Sequence, residues 1–135
     1  MTNQGPRRPA AEGEWSGRLT QAREFHDSAR KLVTLAESMS YNGAITLMVT
    51  AAIAYVDALT AKHKGVVNKQ DHQAAAKLLR EVLGNALPDK QDKFFRRLLG
   101  RKDEVSYGAR STSREEAEKL LAELDDFAVW LEGKL

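Results

Sequence analysis

The chain contains no cysteine and has only three histidines and three prolines among its 135 residues. The absence of cysteine excludes disulfide bonds and thiolate metal sites, and it suits a reducing cytoplasm. The histidines lie at no spacing typical of a metal site, and no His-Glu-x-x-His or Glu-x-x-His pair is present. Glycine-rich phosphate-binding loops are also absent. We therefore expect a cytoplasmic protein with no metal and no cofactor.

An excess of one charge is lacking as well. The chain carries 21 Lys and Arg residues against 19 Asp and Glu residues, which leaves a formal net charge of +2. Attraction to a nucleic acid must therefore come from local clustering of cations rather than from the protein as a whole. With 42% hydrophobic and 30% charged residues, the composition is that of one folded domain.

Only one long hydrophobic run is present, "AITLMVTAAIAYVDALTA" at residues 44–61. It contains Asp57, and a carboxylate in the middle of a membrane span is costly, so we expect a buried core helix and no membrane contact. The N-terminus lacks an apolar signal region. Residues 1–13, "MTNQGPRRPAAEG", hold two of the three prolines. We predict that they form a flexible tail and that residues 14–135 form a single domain.

The rest of the chain shows the three- and four-residue apolar spacing of amphipathic helices. The fifth helix begins with a capping box, in which Ser113 accepts from the Glu116 amide and the Glu116 side chain reaches back. The short connections predict an all-α antiparallel bundle of four or five helices. The four earlier helices are predicted over about 16–39, 41–63, 71–84 and 90–107.

The end of the fourth helix is rich in cations. The stretch "RRLLGRKDEVSYGARS", residues 96–111, ends its helical part near Gly108. Arg101 lies at the edge of the apolar side of the helix, where an unpaired guanidinium is expensive to desolvate. Asp57 is the natural partner, and a purely structural Arg101–Asp57 ion pair is an alternative to a catalytic one. The cations of this stretch are Arg96, Arg97, Arg101, Lys102 and Arg110.

Three segments of the chain, "DHQAAAKLLREVL", "LLGRKDEVSYG" and "TSREEAEKLLAELDDFAVWLE", resemble the HEPN superfamily of helical bundles. The resemblance covers about residues 16–133. In active members, an arginine and a histidine with four to six residues between them form a metal-independent ribonuclease site, and two subunits face one cleft. Arg101 matches the arginine. The histidine is missing, because positions 106 to 108 are Ser106, Tyr107 and Gly108.

Tyr107 changes the chemistry that the resemblance implies. RNA cleavage at the 2′-hydroxyl needs a proton acceptor, a proton donor and a cation for the developing charge. Arg101 would supply the cation, whereas a tyrosine with an ordinary pKa near 10 is a poor base. In a regular helix, Tyr107 also lies about 120° around from Arg101, so the two meet only if the last turn unwinds or if a second copy contributes. Asp57 completes the candidate catalytic set.

Three functions follow as hypotheses. The first is an RNA-associated HEPN-like homodimer with a degenerate ribonuclease motif, in a bacterial-type defence or toxin–antitoxin system, where the resemblance implies a partner such as a nucleotidyltransferase antitoxin. The second is an active endoribonuclease that uses Arg101 and Tyr107. The third is a non-catalytic scaffolding bundle. We expect the first, with RNA bound by Arg96, Arg97, Lys102 and Arg110.

Overall fold

The computed structural model describes residues 7–37, 40–69, 71–107 and 110–135, without the side chains of Ser106 and Tyr107. Gly108, where the fourth helix was expected to end, lies outside the described residues, as do residues 1–6 of the predicted tail.

Five helices make up most of the described chain, which confirms the predicted all-α bundle. A short 3-10 turn at Gly84–Ala86 separates the third helix from the fourth. The helices are α1 (Glu14–Leu35), α2 (Asn42–Lys64), α3 (His72–Leu83), α4 (Asp89–Tyr107) and α5 (Arg114–Glu132).

The centre of the bundle is α2. By length and composition this helix is long and apolar enough to cross a membrane, with a mean hydropathy of 1.7 in its most apolar window. In the fold, however, 78% of that window is buried inside the protein, as in the core helix of a bundle. Its many alanines let the neighbouring helices approach closely, and α1 packs along it most extensively.

The helix ends follow local signals in the sequence. The Glu116 amide donates to the Ser113 hydroxyl at 3.1 Å, as predicted, and Asp71 caps α3 by accepting from the Gln73 amide at 3.0 Å. Within the described residues, the other half of the capping box does not form, because the Glu116 carboxylate accepts from Arg110 instead. Gly65 ends α2 in the left-handed conformation that favours glycine.

The prediction of a flexible tail is wrong for residues 7–13. Strand β1 (Arg7–Pro9) pairs antiparallel with β2 (Val66–Asn68), which lies between the second and third predicted helices. The Ala10 amide extends the pairing by donating to the Gly65 carbonyl at 2.8 Å. Arg7 forms an ion pair with Glu81 of α3 at 2.7 Å. The pairing could not be predicted from the sequence, because it joins positions far apart in the chain and a three-residue strand is too short to show a period-two pattern.

Aromatic side chains hold α4 against α5. The rings of Phe95 and Phe127 stack with their centroids 5.7 Å apart, and Phe94 lies 5.5 Å from the same Phe127 ring. Leu98 and Leu99 continue this buried face by one turn. The apolar seam of α4 therefore leads directly to Arg101, which is the next residue along it.

Candidate functional site

Arg101 is a buried residue near the end of α4, with 7% of its surface exposed. Its Nη1 donates to the Glu104 carboxylate at 2.7 Å, and its Nη2 donates to the Thr112 hydroxyl at 2.8 Å. Glu116 lies 3.8 Å from the same Nη2. A guanidinium that is removed from water requires such partners, and here both of its terminal nitrogens are engaged.

The hydrogen bonds continue from Arg101 to the first residue of α2. Thr112 is fully buried and donates through its hydroxyl to the Asn42 side-chain oxygen at 2.5 Å. The Asn42 amide in turn donates to the Arg110 carbonyl at 2.9 Å. Together these groups tie the connection between α4 and α5 to the start of α2. We call this set of residues the Arg101 centre: Arg101, Glu104, Thr112, Asn42, Arg110 and Glu116.

Two carboxylates balance the two guanidiniums of this centre. Arg110 donates to both Glu104 and Glu116, each at 2.7 Å. Hydrogen bonds from Arg110 and then from Arg101 hold the pKa of Glu104 below its usual range, so its carboxylate stays ionised at neutral pH. Arg101 therefore lies beside fixed negative charge, which opposes the approach of a phosphate.

Asp57 is not the partner of Arg101, so the predicted ion pair is wrong. Asp57 lies in the second half of α2, whereas the Arg101 centre contacts Asn42 at its beginning, about 22 Å away along the helix axis. Among the described residues, the cation closest to Asp57 is Arg18 of α1, whose Nη1 lies 3.9 Å from Asp57 Oδ2. The structure does not describe the side chain of Tyr107. Of the candidate catalytic set, only Arg101 has been located at this centre.

The predicted RNA-binding cations divide between two sides of α4. Arg97 lies on the same side as Arg101 and Arg110 and pairs with Glu123 at 2.6 Å. Arg96 lies on the other side of the helix from Arg101 and donates to Asp92 at 2.9 Å. Lys102 also faces the other side, where its charge acts on His72 at the start of α3. The predicted basic surface is therefore smaller than expected.

A groove of about 190 Å³, which we call the α4–α5 furrow, joins the three arginines that share a side. Four cations and two carboxylates line it, and Glu104 contacts two of the cations from its edge. Lys119 was missed from the sequence, because its approach to α4 depends on how α5 packs. The furrow is lined by Arg97, Arg101, Arg110, Glu116, Lys119, Leu120 and Glu123.

A second polar cluster, also missed, lies in a cleft of about 460 Å³ between α1, α2 and α5. His26 is held between the Tyr55 hydroxyl, 2.8 Å from Nδ1, and Asp125, 2.6 Å from Nε2. This order of groups resembles a catalytic triad. However, Tyr55 is 2% exposed, and burial first of all raises its pKa to about 12, so the phenol stays protonated. The cluster is therefore a hydrogen-bonded polar network in the wall of the cleft, with Tyr55 and His26 buried and Asp125 partly exposed.

Among the described residues, no group of three or more His, Asp or Glu side chains is placed to hold a metal ion. The sequence matches no protein-family model, and no curated protein matches it significantly. The resemblance to HEPN proteins thus rests on the quoted motifs alone.

Proposed function

We propose that this protein is an HEPN-like RNA-binding module that does not cleave RNA. The observation that carries the proposal is the Arg101 centre. The arginine that the resemblance assigns to catalysis is buried and bonded to protein groups, while Arg97, Arg110 and Lys119 remain along an open furrow beside it.

The groups that surround Arg101 support the proposal that RNA is not cleaved. A phosphorane needs a free cation and a nearby base. Both terminal nitrogens of Arg101 already donate to Glu104 and Thr112, and Asp57 lies far along α2. A carboxylate at Glu104 with a lowered pKa is also a poor base, because it holds a proton weakly.

RNA binding is supported by the exposure of two arginines of the furrow. The Arg97 and Arg110 side chains are each 52% exposed in their ion pairs with carboxylates. Exposed ion pairs contribute about 0 to 1 kcal/mol, so a phosphate can replace a carboxylate at little cost. The same carboxylates lower the positive potential of the furrow, and we expect weak binding that falls steeply with salt.

Fluorescence anisotropy of a labelled single-stranded RNA tests the proposal. At about 50 mM salt, Arg97→Glu is expected to weaken binding about tenfold or more, since it replaces a furrow cation with a carboxylate. Lys77→Glu makes the same charge change on the exposed side of α3, outside the furrow, and serves as the matched control. Glu123→Gln removes the partner of Arg97 and is expected to tighten binding about threefold or more. Equal effects of Arg97→Glu and Lys77→Glu, or no binding at all, would overturn the proposal.

A second proposal concerns self-association, which the resemblance also implies. Leu35 is 78% exposed and Leu32 is 38% exposed, unusual values for leucines on neighbouring turns. With Ala36 and Leu47 they line an open groove of about 540 Å³ between α1 and α2. We propose that a second copy of the chain covers this apolar face. A nucleotidyltransferase antitoxin partner stays a prediction of the resemblance.

A further inference from the structure

A small pocket of about 140 Å³ lies between α1, α2 and the first residue of α3, on helices that do not form the α4–α5 furrow. Its walls combine apolar and polar side chains, and a buried carboxylate belongs to its lining. The residues that matter for its chemistry are Arg18, Gln21, Phe25, Ile53, Asp57 and His72.

Asp57 has an unused hydrogen-bond acceptor. The residue is 5% exposed, and its Oδ1 atom is buried with no hydrogen-bond partner in the described chain. The nearest cationic atom, Arg18 Nη1, lies 3.9 Å from the other carboxylate oxygen, which is too far for a hydrogen bond. Among the described residues, Oδ2 accepts no hydrogen bond either and, unlike Oδ1, is not closed off from solvent. Oδ2 is therefore the acceptor that a ligand in the pocket can reach.

Arg18 supplies an unused donor beside this acceptor. Its Nε donates to Glu14 Oε2 at 3.2 Å, and its Nη2 lies 3.1 Å from the same oxygen as an ion pair, which fixes the plane of the guanidinium. Glu14 is itself held by Arg8 through a hydrogen bond of 2.8 Å. Among the described residues, Nη1 makes no hydrogen bond, although it is the nitrogen nearest Asp57. A donor and an acceptor, both unpaired, therefore lie side by side.

The remaining lining limits the size and shape of a ligand. A cavity of about 150 Å³ admits one benzene ring, so this pocket suits a single six-membered ring. Phe25 and Ile53 provide apolar walls. The Gln21 amide and the His72 ring make no side-chain hydrogen bond to another described residue, and burial lowers the pKa of His72, which favours its neutral ring.

We propose that this pocket binds a neutral planar ring that carries an N–H and a C=O side by side, as a pyrimidine base does. The N–H donates to Asp57, the carbonyl accepts from Arg18, and the ring packs against Phe25. Above about pH 7, where the Asp57 carboxyl group is ionised, the carboxylates of Asp57 and Glu14 balance the guanidiniums of Arg18 and Arg8, so a neutral ligand fits better than an ion. The pocket and the furrow share no residue, so either can fail without the other.

Two-dimensional NMR of the full ¹⁵N-labelled chain, titrated with uracil, tests this proposal. Saturable shifts are expected for the amides of residues 18–25, 53–57 and 72, with a Kd of about 1 mM or tighter for eight non-hydrogen atoms. Benzene, which lacks the polar edge, is expected to give no saturation over the same range. The trinucleotide UUU distinguishes the source of the base: shifts with UUU alone indicate a base within an RNA strand, and shifts with uracil indicate that the free base suffices.

Two variants test whether the side chains of Asp57 and Arg18 bind the ring. Asp57→Leu keeps a similar volume and removes the unpartnered carboxylate, so the variant is expected to fold and to lose at least tenfold in uracil affinity. Arg18→Met keeps the aliphatic stem and is expected to lose affinity as well. Asp89→Leu, the same change at an exposed position at the start of α4, is expected to bind as the wild type does. The proposal is overturned if neither uracil nor UUU gives saturable shifts, or if Asp57→Leu binds unchanged.

Discussion

Arg101 donates to the Thr112 hydroxyl at 2.8 Å, and both residues are buried. Thr112 in turn donates to Asn42, and its carbonyl accepts from the Tyr41 amide at 3.0 Å. The arginine that a ribonuclease would use on its substrate therefore joins the end of α4, the start of α5 and the start of α2. This relationship gives Arg101 a structural role that can be measured without any ligand.

Replacing Arg101 is expected to destabilise the fold. Arg101→Ala leaves Thr112 without its buried donor and opens space beside Leu98, so the free energy of unfolding should fall by about 2 to 4 kcal/mol. Arg97→Ala, which breaks one exposed ion pair with Glu123, is expected to cost less than about 1 kcal/mol. Urea denaturation measures both. Equal costs for the two variants would show that Arg101 has no special structural role.

The stability of the protein is expected to fall between about pH 4 and pH 7 because of Asp57. Burial raises the pKa of Asp57 from 3.8 to about 7, against the opposing effect of Arg18. In this pH range the carboxyl group ionises more easily in the unfolded chain than in the folded protein. The free energy of unfolding therefore falls with each unit of increasing pH, by up to about 4 kcal/mol in total.

Asp57→Asn removes this titration. The variant is expected to gain a few kcal/mol over the wild type at pH 8 and to differ little from it at pH 4. Thermal or urea denaturation at the two pH values gives the comparison, with Asp27→Asn on the exposed face of α1 as the control. A gain of the same size at both pH values would contradict a raised pKa for Asp57.

The pairing of β1 with β2 is expected to depend on Glu14. Hydrogen bonds from Arg8 and then from the Ala11 amide lower the pKa of Glu14 to about 2. Its contribution to stability is therefore present above the unfolded pKa of about 4.5 and is lost as the pH falls toward 2. Glu14→Gln should speed hydrogen exchange of the Ala10 amide about tenfold at pH 7. Glu24→Gln, on the exposed side of α1, should leave that rate unchanged.

Self-association is expected to depend on Leu35. Leu35→Asp places a charge in the proposed α1 interface and should convert a dimer into a monomer in sedimentation equilibrium. Val129 on α5 is 76% exposed and lies in the other cleft, so Val129→Asp is the matched control and should stay dimeric. A monomeric wild type, or a dimer that survives Leu35→Asp, would contradict this interface.

The helices could be predicted from the sequence because their causes are local. Apolar spacing marks their buried faces, and Ser113 marks the start of α5 through a bond to a residue only three positions away. The burial of Asp57 also followed from its apolar neighbours in the chain. The partners of Arg101 and the pairing of Arg7–Pro9 could not be predicted, because they depend on how distant segments pack. Thr112 and Asn42, for example, are separated by most of three helices.

The central claim is that Arg101 serves the fold rather than a cleavage reaction. It is tested most directly by incubating the purified chain with a fluorogenic single-stranded RNA in excess EDTA, beside Arg101→Lys and Tyr107→Phe variants whose folding has been verified. The account predicts that the wild type cleaves no faster than either variant or a buffer blank. Wild-type cleavage that is lost in either folded variant would contradict it, and would assign Arg101 and Tyr107 to catalysis.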